Sequence, residues 1–187
     1  MNPASLNAAV AKCQSCDNAS CPIKRIQMLQ HPKDGRERYE VAKILLSWGL
    51  SIIPVPIGKK YPAIPWKEYQ TRFATDAELQ AWFLNTNNTI GIVTGKISQL
   101  VVIDLDSDAA VKFAREHLPH TTVKVKTKRG EHWYYTYPQM ASLVKNKVRI
   151  PIGGLTLDID VRGDGGFVMG MHAVHPSGSY YDLIKEG

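Results

Sequence analysis

Apolar positions recur at a helical period early in this chain and at a strand period later, and that change of period organises it. From Arg36 onward, Tyr39, Ala42, Leu45, Leu46 and Leu50 fall at helical spacing, with Gly49 placed to stop the helix. A short strand over residues 50–56 follows. Residues 57–62, Ile-Gly-Lys-Lys-Tyr-Pro, form a basic loop that Trp66-Lys67-Glu68-Tyr69 continues. Thr75-Asp76-Ala77-Glu78 has the Thr-x-x-Glu form of a capping box and opens a second helix through Phe83. Residues 89–94 then predict a strand, Gly95-Lys96 a turn, and residues 100–106 another strand. Asp108 to Leu118 predicts a helix with Ala110, Val111 and Ala114 facing inward. Residues 121–127 alternate, with Val123 and Val125 on one face and Lys124, Lys126 and Lys128 on the other. Arg129-Gly130-Glu131 turns the chain, and residues 132–137 return as the second arm of a hairpin. A strand over 155–161, a glycine-rich turn and a strand over 167–171 pairing back complete the pattern. Strands outnumber helices in the second half, so the expected class is α+β, with mostly antiparallel strands covered by helices.

Composition narrows the setting. The chain of 187 residues is 44% hydrophobic and 21% charged, which suits a globular protein with a full core. No apolar run approaches the roughly 20 residues needed to cross a bilayer, and the polar start Met1-Asn2-Pro3-Ala4 lacks the plan of a signal peptide. The expectation is an intracellular, cytoplasmic protein without a membrane partner. The net charge of +6 fits a polyanionic partner. Residues 1–35 form an appendage ending in the turn-prone His31-Pro32-Lys33-Asp34-Gly35, and residues 36–187 form the main domain. All three cysteines, Cys13, Cys16 and Cys21, lie in that appendage, a clustering that excludes a disulfide framework spread through the fold. With His31 as fourth ligand they compose a candidate zinc knuckle. An iron–sulfur cluster, or three reduced thiols in an arm, fits the same residues.

The candidate chemistry begins at Val101-Val102-Ile103-Asp104-Leu105-Asp106. Alternation along a strand puts Asp104 and Asp106 on one face, about 6.5–7 Å apart, while Val101, Ile103 and Leu105 face a core. Two hard oxygen donors at that spacing suit Mg²⁺ or Mn²⁺. The same acids also suit the capping of a turn or of the next helix, and these six residues alone do not choose. His132 opens a strand directly after the basic turn Lys126-Thr127-Lys128-Arg129-Gly130, and an imidazole among cations suits phosphates. A solvated hairpin histidine is the plain alternative. Farther on, Leu157-Asp158-Ile159-Asp160-Val161-Arg162 is a second strand pattern with carboxylates on one face, Asp158 and Asp160. A third acid beside the first pair is what two-metal phosphoryl transfer requires, and Arg162 would lie near the developing charge.

Residues 39–181 resemble the primase–polymerase domain of the archaeo-eukaryotic primase superfamily, found in replication proteins of plasmids, phages and mobile elements. The superfamily carries an hhhDhD/E motif, a small-x-His motif and an h-Asp motif, where h is apolar. Residues 101–106 match the first, Gly130-Glu131-His132 the second and Ile159-Asp160 the third. Trp48-Gly49, Pro54-Val55-Pro56, the Gly58-Lys59-Lys60-Tyr61-Pro62 loop, Trp66 and Gly91-Ile92-Val93-Thr94-Gly95 resemble its N-terminal portion. Arg162-Gly163-Asp164-Gly165-Gly166-Phe167-Val168 and His175-Pro176-Ser177-Gly178 continue the likeness. Met171-His172-Ala173 departs from a Pro-Pro-Ser run common in the family, Asp158 is an extra acid, and the cysteine segment lies outside the shared motifs.

The resemblance implies an RRM-like catalytic sheet joined to a small N-terminal α/β lobe formed by the first half. It implies that Asp104, Asp106 and Asp160 bind two Mg²⁺ or Mn²⁺ ions and that His132 contacts the phosphates of an incoming nucleotide. Lys126, Lys128, Arg129 and Arg162 are the physical candidates for neutralising a triphosphate, and Lys59 and Lys60 for tracking a template backbone. Trp133, Tyr134 and Tyr135 are candidates for stacking on bases, although alternation sends some of them to the core. The implied partners are a DNA template and primer, dNTPs or NTPs, and a helicase in the same protein or operon. The implied reaction is template-directed nucleotidyl transfer by a DNA primase or polymerase. A metal-dependent nuclease would use the same acids, and a non-catalytic RRM-like module would bind single strands without divalent metal.

Overall fold

A computed structural model of the chain describes residues 31–121, 123–138, 144–149, 151–152 and 155–184. Helix α1 (Gly35–Ser47) begins where the Asp34 side chain accepts a hydrogen bond from the Glu37 N–H. It ends at Gly49, whose φ of 81° a residue with a side chain would resist. Strand β1 (Ser51–Pro56) follows, then a 3₁₀ turn (Lys67–Gln70) and α2 (Asp76–Phe83). The predicted capping box is present at α2, with Thr75 and Glu78 satisfying each other's backbone N–H. Next come β2 (Asn88–Val93), β3 (Leu100–Leu105), α3 (Asp108–His117), β4 (Lys124–Lys126) and β5 (Glu131–Thr136). The short strands β6 (Pro151–Ile152), β7 (Leu155–Thr156), β8 (Ile159–Arg162), β9 (Phe167–Met169) and β10 (Asp182–Leu183) complete the described chain.

The strands form a three-stranded sheet in the order β1-β2-β9, a five-stranded sheet in the order β10-β4-β5-β3-β8, and the pair β6-β7. Every strand pairing is antiparallel. The α+β class and its mostly antiparallel strands are therefore as the pattern predicted. No helix among the described residues is long and apolar enough to cross a membrane.

Three strand predictions need correcting. Residues 121–127 yield only Lys124–Lys126, because the Thr121 hydroxyl takes the Tyr134 carbonyl at 2.6 Å where a ladder N–H would otherwise go. The strand expected over 155–161 is two strands, broken where the Ile159 N–H turns back to the Leu157 carbonyl. Asp158 consequently falls outside β8 and is exposed. Residues 167–171 do not pair back on the preceding strand. The Gly163–Gly166 turn carries the chain to the other sheet, where Thr94 donates to the carbonyls of Gly163 and Gly166 and β9 pairs with β2. The smaller sheet is thus completed by the second half of the chain, whereas the expected N-terminal lobe drew on the first half alone.

One buried core joins α1, α2 and the three-stranded sheet to Leu100, Val102, Val125 and Tyr134 on the five-stranded sheet and to Val123 and Tyr181 beside it. A second core lies beneath α3, where Ala110, Val111 and Ala114 meet Leu105, Trp133 and Ile159. The five-stranded sheet is therefore covered on both faces. The face of β3 that carries the acids also carries the fully buried Leu100 and Val102, contrary to the expectation that only its opposite face would be core. Along that face, side-chain exposure rises from nil at Val102 to 14% at Asp104 and 35% at Asp106. The shared core opens into a cleft where the carboxylates begin.

Candidate active site

Register places the site. Asp104 on the central strand β3 lies directly opposite His132 on β5 and opposite Asp160 on β8. Residues opposite one another in antiparallel strands project to the same face, so His132, Asp104 and Asp160 form a row across three adjacent strands. Asp106 follows the end of β3, its backbone N–H donating to the Asp158 carbonyl at 2.9 Å. The three motif acids and the motif histidine, drawn from three separate stretches of the sequence, lie side by side.

The row is tightly coupled. Arg162 donates to Asp160 Oδ2 at 2.6 Å and to Asp104 Oδ2 at 3.4 Å, bridging the two acids. His132 Nε2 stands 3.3 Å from Asp104 Oδ1, while its Nδ1 is buried without a hydrogen-bond partner among the described residues. Arg129 reaches Asp106 Oδ1 at 3.2 Å, and the Arg149 N–H donates to Asp160 Oδ1 at 2.7 Å. Burial opposes ionisation of Asp104, but the bond and charge of His132 and the charge of Arg162 outweigh it and hold that carboxyl below its usual range.

The small residue of the small-x-His motif has a geometric reason here. A Cβ on Gly130 would lie 1.8 Å from the Leu105 carbonyl oxygen, so only glycine lets the β4–β5 turn close against the end of β3. The turn is held by Thr127, whose N–H donates to the Gly130 carbonyl and whose hydroxyl accepts from the Gly130 N–H. Gly130 thus sets both the position of His132 and the exit of the chain toward Asp106.

A cavity of about 200 Å³ opens over His132 and Asp104, walled by Lys60, Lys128, Arg129, His132, His175 and Tyr181 and also touching Asp106 and Arg162, while Asp160 lines a second hollow with Asp106, Arg129, Arg149 and Asp158. Lys60, Lys128, Arg129 and Arg162 therefore share one concave surface with Asp104 and Asp106. Lys126 does not: it pairs with Glu131 and so projects to the α3 face, away from His132. Lys59 is exposed and does not line the cavity. Trp133 is buried in the core under α3, with Lys124 over its ring and its indole N–H donated to Glu131. Tyr134 is buried in the shared core, and the Tyr135 hydroxyl donates to the Pro119 carbonyl, so this triplet is a packing element and supplies no base platform.

Tyr181 and His175 were not singled out from sequence as site residues. Tyr181 is 3% exposed, its ring centre is 5.5 Å from that of His132, and burial together with the charges of Asp104 and Asp106 pushes its phenol upward. His175 is held below the usual imidazole range by burial and by the charges of Lys60, Lys128 and Arg129. His175 had a signal in the His-Pro-Ser-Gly run, whereas the second tyrosine of the Tyr180-Tyr181 pair had none.

The acids Asp104, Asp106 and Asp160 offer carboxylate oxygens, the donors that hard divalent cations such as Mg²⁺ and Mn²⁺ favour. Among the described residues no three His, Cys, Asp or Glu side chains form a ready-made cage, because Asp104, Asp106 and Asp160 are turned onto guanidinium groups. Cation for cation, a divalent ion would replace charge that the arginines now supply. Of the proposed zinc ligands, Cys13, Cys16 and Cys21 lie outside the described residues. His31 stacks on Tyr180 at 4.0 Å and contacts Asp182 Oδ1 at 3.0 Å.

Residues 42–187 match the family model described as bifunctional DNA primase/polymerase, N-terminal, or Prim-Pol. The chain belongs to the Prim-Pol family. The acids, the histidine and the cavity described above all fall within the matched span. A search of curated proteins found no match for this Prim-Pol chain.

Proposed function

We propose that this Prim-Pol chain catalyses template-directed nucleotidyl transfer from dNTPs or NTPs to a 3′ hydroxyl or to an initiating nucleotide, in the replication of DNA. The observation that supports the reading is the row His132–Asp104–Asp160 with Asp106 beside it, in which His132, Asp104 and Asp106 open into a cavity walled by cations and Asp160 is tied to Asp104 by Arg162. Asp104, Asp106 and Asp160 are the residues that would hold divalent Mg²⁺ or Mn²⁺. Such ions would supply a more acidic attacking hydroxyl and charge compensation for the leaving pyrophosphate.

The chain's own groups do the rest. Lys60, Lys128, Arg129 and Arg162 neutralise the triphosphate of an incoming nucleotide, and His132 orients its phosphates from a position fixed by Asp104. Arg162 serves twice, since it favours the ionised form of Asp104, holds Asp160 in line with it, and then turns its charge toward phosphate. A wall of this composition does not fit a purely non-catalytic strand binder, because a surface for a polyanion gains nothing from clustered carboxylates.

The deciding assay incubates the protein with a primed and an unprimed template, Mg²⁺ or Mn²⁺, and labelled dNTPs or NTPs in parallel. Extension or primer synthesis is expected, and shortening of the labelled strand would instead identify a nuclease. Asp104→Ala combined with Asp106→Ala is expected to abolish synthesis while leaving DNA binding largely intact. Full synthesis by that double variant would overturn the reading.

A further inference from the structure

Tyr61, Phe73 and Val148 are the large apolar side chains left exposed among the described residues, at 59%, 42% and 60%. Their surroundings differ. Phe73 follows Arg72, whose guanidinium is already committed to Glu68 and Glu78. Tyr61 follows Lys59 and Lys60, and the stretch from Ile57 to Lys67 contains no acidic residue. Lys59, Lys60 and Lys67 are all exposed, and none forms an ion pair among the described residues.

The segment carrying Tyr61 is held in place. The Lys59 N–H bonds to the Pro56 carbonyl across a turn at Gly58, whose φ is 84°, and the Ala63 N–H bonds to the Pro54 carbonyl at 2.8 Å. From there the side chains alternate. Pro62, Ile64 and Trp66 turn inward, while Tyr61, Ala63, Pro65 and Lys67 are exposed. Trp66 packs edge-on against Phe167, which lines the cavity over the acids, and Lys60 lines the same cavity. Pro62 and Pro65 restrict the backbone between these anchors. Tyr61 is therefore presented on a stiff basic segment beside the cavity, with little conformational entropy left to lose on contact with a ligand.

We infer that Tyr61 is a stacking platform for an unpaired base of a single-stranded nucleic acid whose phosphates lie along Lys59, Lys60 and Lys67. This rests on the nucleotidyl-transfer reading only in identifying the strand as the template. The chemistry is general: an exposed ring flanked by cations binds a base face and a phosphate chain at once, and bases are open to a ring only where they are unpaired. The segment's continuity with the cavity wall places that base next to the one to be copied.

The test is fluorescence anisotropy of a labelled single-stranded oligonucleotide, without divalent metal or free nucleotide. Tyr61→Ala is expected to weaken binding about tenfold, the usual scale for one base–aromatic stack. Tyr61→Trp should restore it, and Phe73→Ala should leave it unchanged. An oligonucleotide of the same length made wholly of abasic sites should bind the unaltered chain no better than a normal oligonucleotide binds Tyr61→Ala. Equal affinity of Tyr61→Ala and the unaltered chain, or no single-strand binding by the unaltered chain, overturns the inference. If extension fails while binding still depends on the Tyr61 ring, the polymerase reading falls and the platform stands. If extension succeeds and Tyr61→Ala binds normally, only the platform falls.

Discussion

The His172 imidazole is closed off from water between β9 and β10, 1% exposed, with neither ring nitrogen hydrogen-bonded among the described residues. Burial, opposed by Asp182 and reinforced by His31, lowers its pKa to about 4. The folded value lies below the unfolded one of about 6.5, so the unfolded chain takes up the proton first. Stability from this group is complete above about pH 6.5 and is lost as pH falls toward 4, by about 3 kcal/mol. Urea midpoints measured across that window are expected to fall. His172→Asn, which tolerates the positive φ of 62° at this position, should flatten that part of the profile. The Glu78 carboxyl, held below its usual range chiefly by Arg72, contributes a further loss that sets in as pH falls into the ordinary glutamate range, where the unfolded chain takes up its proton. At this scale the sequence was most informative about residues that carry charge in a motif. Asp104 and Asp160 stood out because their neighbours are apolar, and Asp106 and His132 because the order of the motifs is distinctive. Tyr181 and His172 were not, because burial of an isolated ring is decided by elements that are remote along the chain.

Two helix starts in this fold carry unequal consequences. Thr75 caps α2, far in sequence from the acids, and Ser107 caps α3 immediately after Asp106, its hydroxyl accepting from the Ala110 N–H. Thr75→Ala and Ser107→Ala should each cost about 1 kcal/mol in urea unfolding. Only Ser107→Ala is expected to lower the rate of nucleotide extension as well, since it frees the residue next to a proposed metal ligand. Extension assays on the two variants, set against their unfolding midpoints, check this. The helices and the β4–β5 hairpin were readable from periodicity and capping alone. The alternation of 121–127 already grouped Lys126 with Lys124, but its placement among phosphate-binding residues followed sequence proximity to His132. Cross-strand pairing, with Val125 opposite His132, puts that lysine on the other face. No local pattern announced that β9 would leave its neighbour for β2, because glycines specify that a chain turns and leave its destination to the core.

At the scale of the molecule, the shared core makes the two larger sheets interdependent. Ile52, Ile92 and Val168 of the three-stranded sheet belong to the same buried cluster as Val102, Val125 and Tyr134 of the five-stranded sheet. Unfolding is therefore expected to be a single transition, with tryptophan fluorescence and far-UV circular dichroism giving coincident urea curves. Two separated transitions would mean that the sheets fold independently. The α+β class was visible in the sequence, but this interdependence was not, since it arises from β9 crossing to complete a sheet begun by β1 and β2. The row of His132, Asp104 and Asp160 also bears on how such a chain can diverge. Inserting one residue within β3, β5 or β8 reverses the facing of every side chain beyond it and scatters the row, even where the strand still pairs. Lengthening the loops between those strands, the tight turn at Gly130 excepted, moves none of the three. Drift in this lineage is consequently free to change the distances between motifs, while the interiors of three short strands act as a ruler that admits no single-residue gain or loss.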